Sequence, residues 1–161
     1  MAMNVSLFLN ALSTPISQID DTLYLGNRQG AMDLTALRRF GITHIVQIQS
    51  TPTSPFLNGH FEYHCITIPD MPDQNMLRHI PAALRFMQAA ISQQRKVFVH
   101  CDAGVSRSTT ITIAYYMAAR RWSFGQALDF VRSKRGCAFP NEGFQRQLES
   151  LDANTLTSWI R

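Results

Sequence analysis

One ten-residue stretch carries the residue types that phosphate chemistry needs. It is 99–108, VHCDAGVSRS, in which five residues separate Cys101 from Arg107. A tight loop that leads into a helix N-terminus presents backbone N–H groups to an anion, and an arginine adds a bidentate fork to two phosphate oxygens. The same positive field favours the thiolate form of a cysteine, which is its nucleophilic form. The stretch therefore predicts a loop that binds a phosphate group and attacks it with Cys101.

A purely structural interpretation of Cys101 competes with the chemical one. Isolated cysteines are mostly core residues, and the spacing of Cys101 and Arg107 alone favours neither interpretation. However, His100, Gly104 and Ser108 fall where a phosphate loop needs them, and the stretch joins an apolar strand to a helical pattern. We therefore favour the phosphate loop.

The apolar patterning predicts the elements that position this loop. Short strands are predicted at 23–25, 44–48, 61–68 and 96–100. Helices are predicted at 34–40, 81–94 and 108–120, after the capping box at 123–126, and finally from near Asn141. The apolar run 5–12 predicts a further packed helix. Strands that alternate with helices predict an α/β fold with a mostly parallel central sheet flanked by helices on both faces.

Composition narrows the class of protein. A length of 161 residues predicts one domain over 1–161, and a net charge of +4 without Lys/Arg runs argues against a nucleic-acid partner. The sequence has no apolar stretch long enough to span a membrane and no basic secretion leader. Its three cysteines are widely separated, which argues against a disulfide framework and a zinc site. We expect a cytoplasmic location, with the nucleus as an alternative.

The loop also carries a family resemblance. The segment 100–108 resembles the active-site sequence of the cysteine-dependent protein tyrosine phosphatase superfamily, and AGVSRS at 103–108 is similar to its dual-specificity branch. Further similar segments follow the same order along the chain, at 23–26, 41–46, 127 with 135, and 140–148. The resemblance covers roughly residues 20–150 and is to the small, atypical members. It implies a protein tyrosine phosphatase-like fold.

That family implies a role for each matched residue. Cys101 would form a cysteinyl-phosphate, Ser108 would assist departure of its sulfur, and His100 would orient the loop. Phosphate would be held by Arg107 and by the loop residues Asp102, Ala103, Gly104, Val105 and Ser106. The acidic Asp102 is expected to disfavour highly anionic substrates slightly. The resemblance implies neither a metal nor any other cofactor.

Two carboxylates compete for the role of general acid. Asp70 lies 31 positions before Cys101, and Asp73 lies 28 positions before it. In the family the acid opens this loop, a position that Asp70 matches, so we favour Asp70 and interpret Asp73 as a turn residue. Asn141 and Gly143 resemble a segment that is implied to buttress the phosphate loop, although a helix cap explains Asn141 equally well.

The resemblance implies a phosphoprotein phosphatase that acts on phosphotyrosine and on phosphoserine or phosphothreonine. One alternative is a phosphatase of a phosphoinositide, a glucan or an RNA 5′ end, and another is a non-catalytic phosphate-binding module. The expected partner is a phosphorylated protein, and the oligomeric state is left open. Cys65 or Cys137 can be interpreted as a redox partner that forms a disulfide with Cys101, but the simpler interpretation is two buried thiols.

Overall fold

The computed structural model describes residues 4–161; residues 1–3, at the start of the predicted domain, lie outside it. Its strands are β1 (Ile16–Gln18), β2 (Leu23–Gly26), β3 (Ile42–Gln49), β4 (Glu62–Thr67) and β5 (Lys96–His100). Its helices are α1 (Val5–Ser13), α2 (Arg28–Ala31), α3 (Leu34–Phe40), α4 (Ile80–Ile91), α5 (Arg107–Arg120), α6 (Phe124–Lys134), α7 (Glu142–Glu149) and α8 (Ala153–Ser158).

The strands form one sheet in the order β1-β2-β5-β3-β4, in which β1 alone pairs antiparallel. Successive side chains of a strand point to opposite faces. Leu23 and Leu25 of β2 therefore join a large core under α4 and α5, while Tyr24 joins a smaller core under α2 and α3. The predicted mostly parallel α/β fold is confirmed, with helices on both faces of the sheet.

The sequence prediction missed three short elements. Strand β1 and helix α2 were not predicted, and α8 follows the helix that was expected to be the last. Strand β1 has three residues, and helices α2 and α8 have four and six, which is fewer than two helical turns and too short for hydrophobic periodicity to be distinctive. By contrast, the predicted capping box of α6 is present, with Ser123 and Gln126 exchanging hydrogen bonds.

Helix α5 lies at the centre of the molecule. Every residue from Arg107 to Ala118 is buried, because the helix packs on the sheet and also contacts α4, α6, α7 and α8. A helix that is enclosed on all sides has no polar face. The first turn of this enclosed helix carries Arg107 and Ser108.

Helix α1 forms as predicted, but it is not packed as predicted. Asn4 caps it by accepting hydrogen bonds from the backbone N–H groups of Ser6 and Leu7. None of its residues is buried, and Val5, Leu7, Leu9 and Leu12 are exposed. Its apolar side chains are distributed around the helix, so contact on one side cannot cover them all. No helix in residues 4–161 is long and apolar enough to cross a membrane.

Candidate active site

The predicted phosphate loop lies at the carboxyl end of β5, in the middle of the sheet. Strand β5 ends at His100, residues 101–106 form the loop, and α5 begins at Arg107. Gly104 has a φ of +66° in this loop. A Cβ at this position would lie 2.5 Å from the carbonyl oxygen of Gly26. The tight turn therefore requires glycine, both for its backbone conformation and for the space around it.

Cys101 lies at the bottom of this loop. It is buried, and its thiol is not in a disulfide. Its Sγ lies 3.1 Å from the Oγ of Ser108, which is on the first turn of α5. A hydroxyl at this distance can donate a hydrogen bond to a sulfur that carries negative charge. The structure thus brings together the two residues for which the sequence implied a joint role.

Arg107 is 5% exposed, and neighbouring residues fix its guanidinium. Nη1 donates to the Oγ of Ser50 at 2.9 Å and to the carbonyl oxygen of Ile68 at 3.3 Å, while Nη2 donates to Oδ2 of Asp102 at 2.9 Å. Nε has no partner among the described residues. A buried N–H without a partner is costly, so a phosphate oxygen at this position would supply the missing acceptor. Ser50 was not singled out from the sequence.

Asp70 reaches the loop from the segment after β4. Its Oδ1 accepts a hydrogen bond from the Oγ of Ser106 at 2.7 Å and one from Nδ2 of Asn141 at 2.8 Å. These two contacts leave Oδ2 available to a reacting group. Asp73, by contrast, accepts its hydrogen bond from the neighbouring Gln74 and is exposed. The geometry therefore brings Asp70, rather than Asp73, into contact with the phosphate loop.

The start of α7 positions the Asp70 segment. The backbone N–H of Asn141 donates to the Oγ of Ser106, and its side-chain oxygen caps α7 by accepting from the N–H of Phe144. Gly143 lies directly against the carbonyl of Pro72, so that any Cβ there would overlap it. Asn141 thus both contacts the phosphate loop and caps α7, as the two sequence interpretations proposed. Its hydrogen bond to Asp70 is a third role that the sequence did not indicate.

His100 is buried between two aromatic rings. Its ring centroid lies 5.5 Å from that of Phe56 and 5.6 Å from that of Phe98. Its Nδ1 donates to the carbonyl oxygen of Cys101 at 3.3 Å, and its Nε2 has no partner among the described residues. Burial lowers the pKa of His100 to about 4, so the ring is neutral at physiological pH. It therefore acts on the loop through packing and one hydrogen bond rather than through charge.

We expect His100 to make folding stability depend on pH. Its folded pKa of about 4 lies below the ordinary value of 6.5, so the unfolded chain takes up the proton first. The free energy of unfolding should therefore fall by about 2 kcal/mol between pH 7 and pH 5 on account of this group. Urea denaturation at a series of pH values should show this loss. The His100→Leu variant should lack this part of the slope, and an equal slope in both proteins would contradict the assignment.

Arg135 supports the loop from behind and was not predicted as a site residue. It is completely buried at the end of α6. Nε donates to the carbonyl oxygen of Gly104 at 2.8 Å, and Nη2 donates to that of Ala103 at 3.4 Å. Nη1 donates to the carbonyl oxygen of Thr14 and to the Oγ of Ser17, both at 2.9 Å. One cation thus ties the loop to the segment around β1.

The Arg135→Met variant should unfold more easily. Removing the guanidinium leaves several buried acceptors without a donor, at about 1 kcal/mol or more each. We expect a loss of about 3 kcal/mol in the free energy of unfolding, measured by urea denaturation. The matched control is Arg39→Met, because Arg39 is exposed on α3 and surface substitutions usually change stability by less than about 0.5 kcal/mol. Equal stability of the two variants would exclude the supporting role of Arg135.

The two other cysteines lie apart from the reacting groups. The interpretation of two buried thiols is wrong for Cys65, which is exposed on β4, and right for Cys137, whose Sγ lies behind the loop, 3.9 Å from the carbonyl oxygen of Gly104. Both are free thiols, so a disulfide with Cys101 stays a prediction. Burial raises the pKa of the Cys137 thiol, and the partial desolvation of the Cys65 thiol against the sheet raises its pKa as well. Among the described residues there is no group of three or more His, Cys, Asp or Glu side chains that could hold a metal ion.

Comparison with known proteins assigns the fold and site to a family. The family model described as "Dual specificity phosphatase, catalytic domain" matches residues 23–153. Dual specificity protein phosphatase 22 of Mus musculus is 39% identical over 153 residues, covering 93% of this chain and 82% of the relative. Its Homo sapiens counterpart is 40% identical over 142 residues, covering 86% and 76%.

Solved structures agree with the sequence comparison. The crystal structure of DUSP15 superposes with a TM-score of 0.85 at 32% identity, covering 91% of this chain and 93% of that one. The structure of human tyrosine phosphatase-like serine/threonine/tyrosine-interacting protein gives a TM-score of 0.82 at 33% identity, with coverages of 88% and 98%. The family that the loop sequence resembles is therefore also the family of the fold.

Proposed function

Because this chain belongs to the dual specificity phosphatase family and is a protein phosphatase, we propose that it hydrolyses its substrates through a cysteinyl-phosphate on Cys101. The observation that carries this proposal is the convergence of three groups on one loop. They are the buried thiol of Cys101, the Nε edge of Arg107 and the carboxylate of Asp70. We further propose that phosphotyrosine and phosphoserine or phosphothreonine are both accepted.

The first chemical step transfers the phosphoryl group to sulfur. The Cys101 thiolate attacks phosphorus while the bond from phosphorus to the side-chain oxygen of the substrate breaks. Asp70 gives its proton from Oδ2 to that leaving oxygen. Arg107 and the backbone N–H groups of the loop stabilise the charge on the equatorial oxygens of the transition state. Ser106 and Asn141 keep the carboxyl group in place during the transfer because both hydrogen-bond to Oδ1.

The second step returns the enzyme to its starting state. The Asp70 carboxylate takes a proton from a water molecule as the water oxygen attacks phosphorus. The bond from phosphorus to sulfur then breaks, and the sulfur leaves as a thiolate. The Ser108 hydroxyl, 3.1 Å away, donates a hydrogen bond to the departing sulfur. Inorganic phosphate is released, and Asp70 is again protonated for the next cycle.

The alternatives from the sequence have less support. A phosphate loop for phosphoinositides would gain from lysines, whereas residues 102–106 have the sequence DAGVS. A non-catalytic binding module has no need of a thiol, a guanidinium and a carboxylate on one loop. We propose a cytoplasmic location with the nucleus as the alternative, because a reducing compartment keeps a catalytic thiol reduced.

Turnover of matched substrates tests this function. The panel contains phosphotyrosine and phosphothreonine forms of one peptide, a phosphoinositide and a phosphorylated glucan, and the released phosphate is measured. We expect release from both peptides, larger for phosphotyrosine, with Cys101→Ser as the blank. If phosphate is released from the lipid or the glucan in a Cys101-dependent way and from neither peptide, the proposal is wrong.

A further inference from the structure

Asp102 lies between two arginines at the mouth of the site. Its Oδ2 accepts a hydrogen bond from Nη2 of Arg107 at 2.9 Å. Its Oδ1 faces Nη1 of Arg28 at 3.9 Å. Each oxygen of this one carboxylate is therefore directed to a different guanidinium, one buried and one exposed.

The backbone fixes Arg28 in this position. The N–H of Arg28, the first residue of α2, donates to the carbonyl oxygen of Asp102 at 3.0 Å. Its guanidinium lies over the ring of Phe56, 4.9 Å from the ring centroid. The side chain of Arg28 is 55% exposed and, at 3.9 Å, it is close to Asp102 without a hydrogen bond. Arg28 is therefore a held but accessible cation beside the residue that follows the nucleophile.

The Asp102 carboxylate lies between the guanidiniums of Arg107 and Arg28, so it competes with any second anionic group for Arg28. A phosphate on Cys101 can accept a hydrogen bond from Nε of Arg107, which has no partner among the described residues, whereas Asp102 holds Nη2. Loop residues 102–106 contain no Lys or Arg, and Arg28 is the exposed cation that lies against Asp102, so Arg28 is available to a further phosphate beside the first. Asp102 already faces Arg28 at 3.9 Å. The negative charge of Asp102 repels any additional anion that approaches Arg28.

We propose that Asp102 is a specificity-determining residue that restricts the site to substrates with a single, isolated phosphate group. The proposal rests on the phosphatase function proposed above and specifies its substrate class. Asp102 leaves Nε of Arg107 free to bind one phosphate group. Its carboxylate pairs with Arg28, so a second phosphate group would have to displace it. Peptides with two neighbouring phosphorylated residues are accordingly poor substrates of the unmodified enzyme.

Anion binding and peptide turnover together test this inference. The probes are inorganic phosphate and pyrophosphate, titrated calorimetrically, and the substrates are one peptide with either one or two neighbouring phosphates. In the unmodified protein we expect pyrophosphate to bind no more than about twofold tighter than phosphate. The Asp102→Asn variant should bind pyrophosphate about tenfold tighter than the unmodified protein and phosphate only about threefold tighter, because a charge is removed while the shape is kept.

A double variant tests the part played by Arg28. Asp102→Asn combined with Arg28→Met should lose the additional gain for pyrophosphate and keep the smaller gain for phosphate. The kcat/KM ratio of doubly to singly phosphorylated peptide should rise in Asp102→Asn and return in the double variant. Asp129→Asn, an exposed carboxylate on α6, makes the same change in net charge and should leave both ratios unchanged.

The outcomes separate this inference from the proposed function. If the pyrophosphate-to-phosphate ratio stays within twofold of the unmodified protein in Asp102→Asn, or if the gain persists in the double variant, Asp102 does not select substrates in this way. If the unmodified protein releases phosphate from neither peptide although both anions bind, the proposed function fails instead. A shift in Asp129→Asn as large as that in Asp102→Asn would reduce the effect to overall charge and overturn the inference.

Discussion

Replacing Cys101 with Ser should abolish turnover while leaving phosphate binding in place. A serine hydroxyl is not ionised near neutral pH, and Asp70 is protonated in the first step and so cannot take the hydroxyl proton, so the covalent step stops. We expect kcat to fall by at least about 10⁴-fold on every substrate, in line with the loss of other covalent nucleophiles. Arg107 and the loop N–H groups do not depend on the sulfur, so the affinity for phosphate should change little.

The measurement combines phosphate release with calorimetric titration of inorganic phosphate. Cys137→Ser is the matched control, because it makes the same chemical change at a buried thiol behind the loop. That variant should keep phosphate release within about threefold of the unmodified protein. Residual turnover of more than about 1% in Cys101→Ser would show that another group is the nucleophile.

Replacing Asp70 with Asn should slow the enzyme most on substrates with a basic leaving oxygen, because that oxygen must be protonated as it leaves. The amide cannot give a proton to the leaving oxygen, and general acid catalysis contributes about 10²–10⁴-fold. Its oxygen can still accept hydrogen bonds from Ser106 and Asn141, so the segment should stay in place. We expect kcat on a phosphothreonine peptide to fall by about 10³-fold. An aryl phosphate with an acidic leaving group should lose much less.

Asp73→Asn is the control that separates the two carboxylates. It lies three residues further along the same segment, is exposed, and contacts only Gln74 through its side chain among the described residues. Its kcat should stay within about threefold of the unmodified protein on both substrates. If Asp70→Asn keeps normal turnover of the phosphothreonine peptide and Asp73→Asn loses it, the roles of the two residues are reversed.

The phosphate loop could be predicted from the sequence because all of its parts are contiguous. A strand, a cysteine, a five-residue turn with glycine and an arginine at a helix start occupy 96–107. Local geometry then brings their backbone N–H groups to one point, whatever the rest of the chain does. The same holds for the capping box of α6 and for strands β3 and β5, whose apolar runs extend over five residues.

The long-range contacts that surround the loop could not be predicted from the sequence. Arg107 is held by Ser50, which is 57 residues away, and Asp70 is held by Asn141, which is 71 residues away. Arg135 supports the loop across 31 residues. Each of these contacts joins common polar residue types that have many possible partners, and only chain topology decides which pairs meet.

Helix α1 also shows that local sequence determines whether an element forms, whereas tertiary structure determines whether it is buried. Its apolar composition and its Asn4 cap are local properties, and they determined that a helix forms. Whether that helix is covered depends on what the rest of the chain places beside it, and here Val5, Leu9 and Leu12 stay exposed.

The sequence by itself thus determined the residue types and the strand–loop–helix context of the loop, and the class of the fold. Only the tertiary structure decided that Asn141 holds Asp70 against the loop, that Arg135 supports the loop, and that Asp102 faces both Arg107 and Arg28. The physical reason is that bond geometry and backbone hydrogen bonding act between neighbours in sequence. The selection among long-range polar partners, by contrast, follows from how the sheet and helices pack.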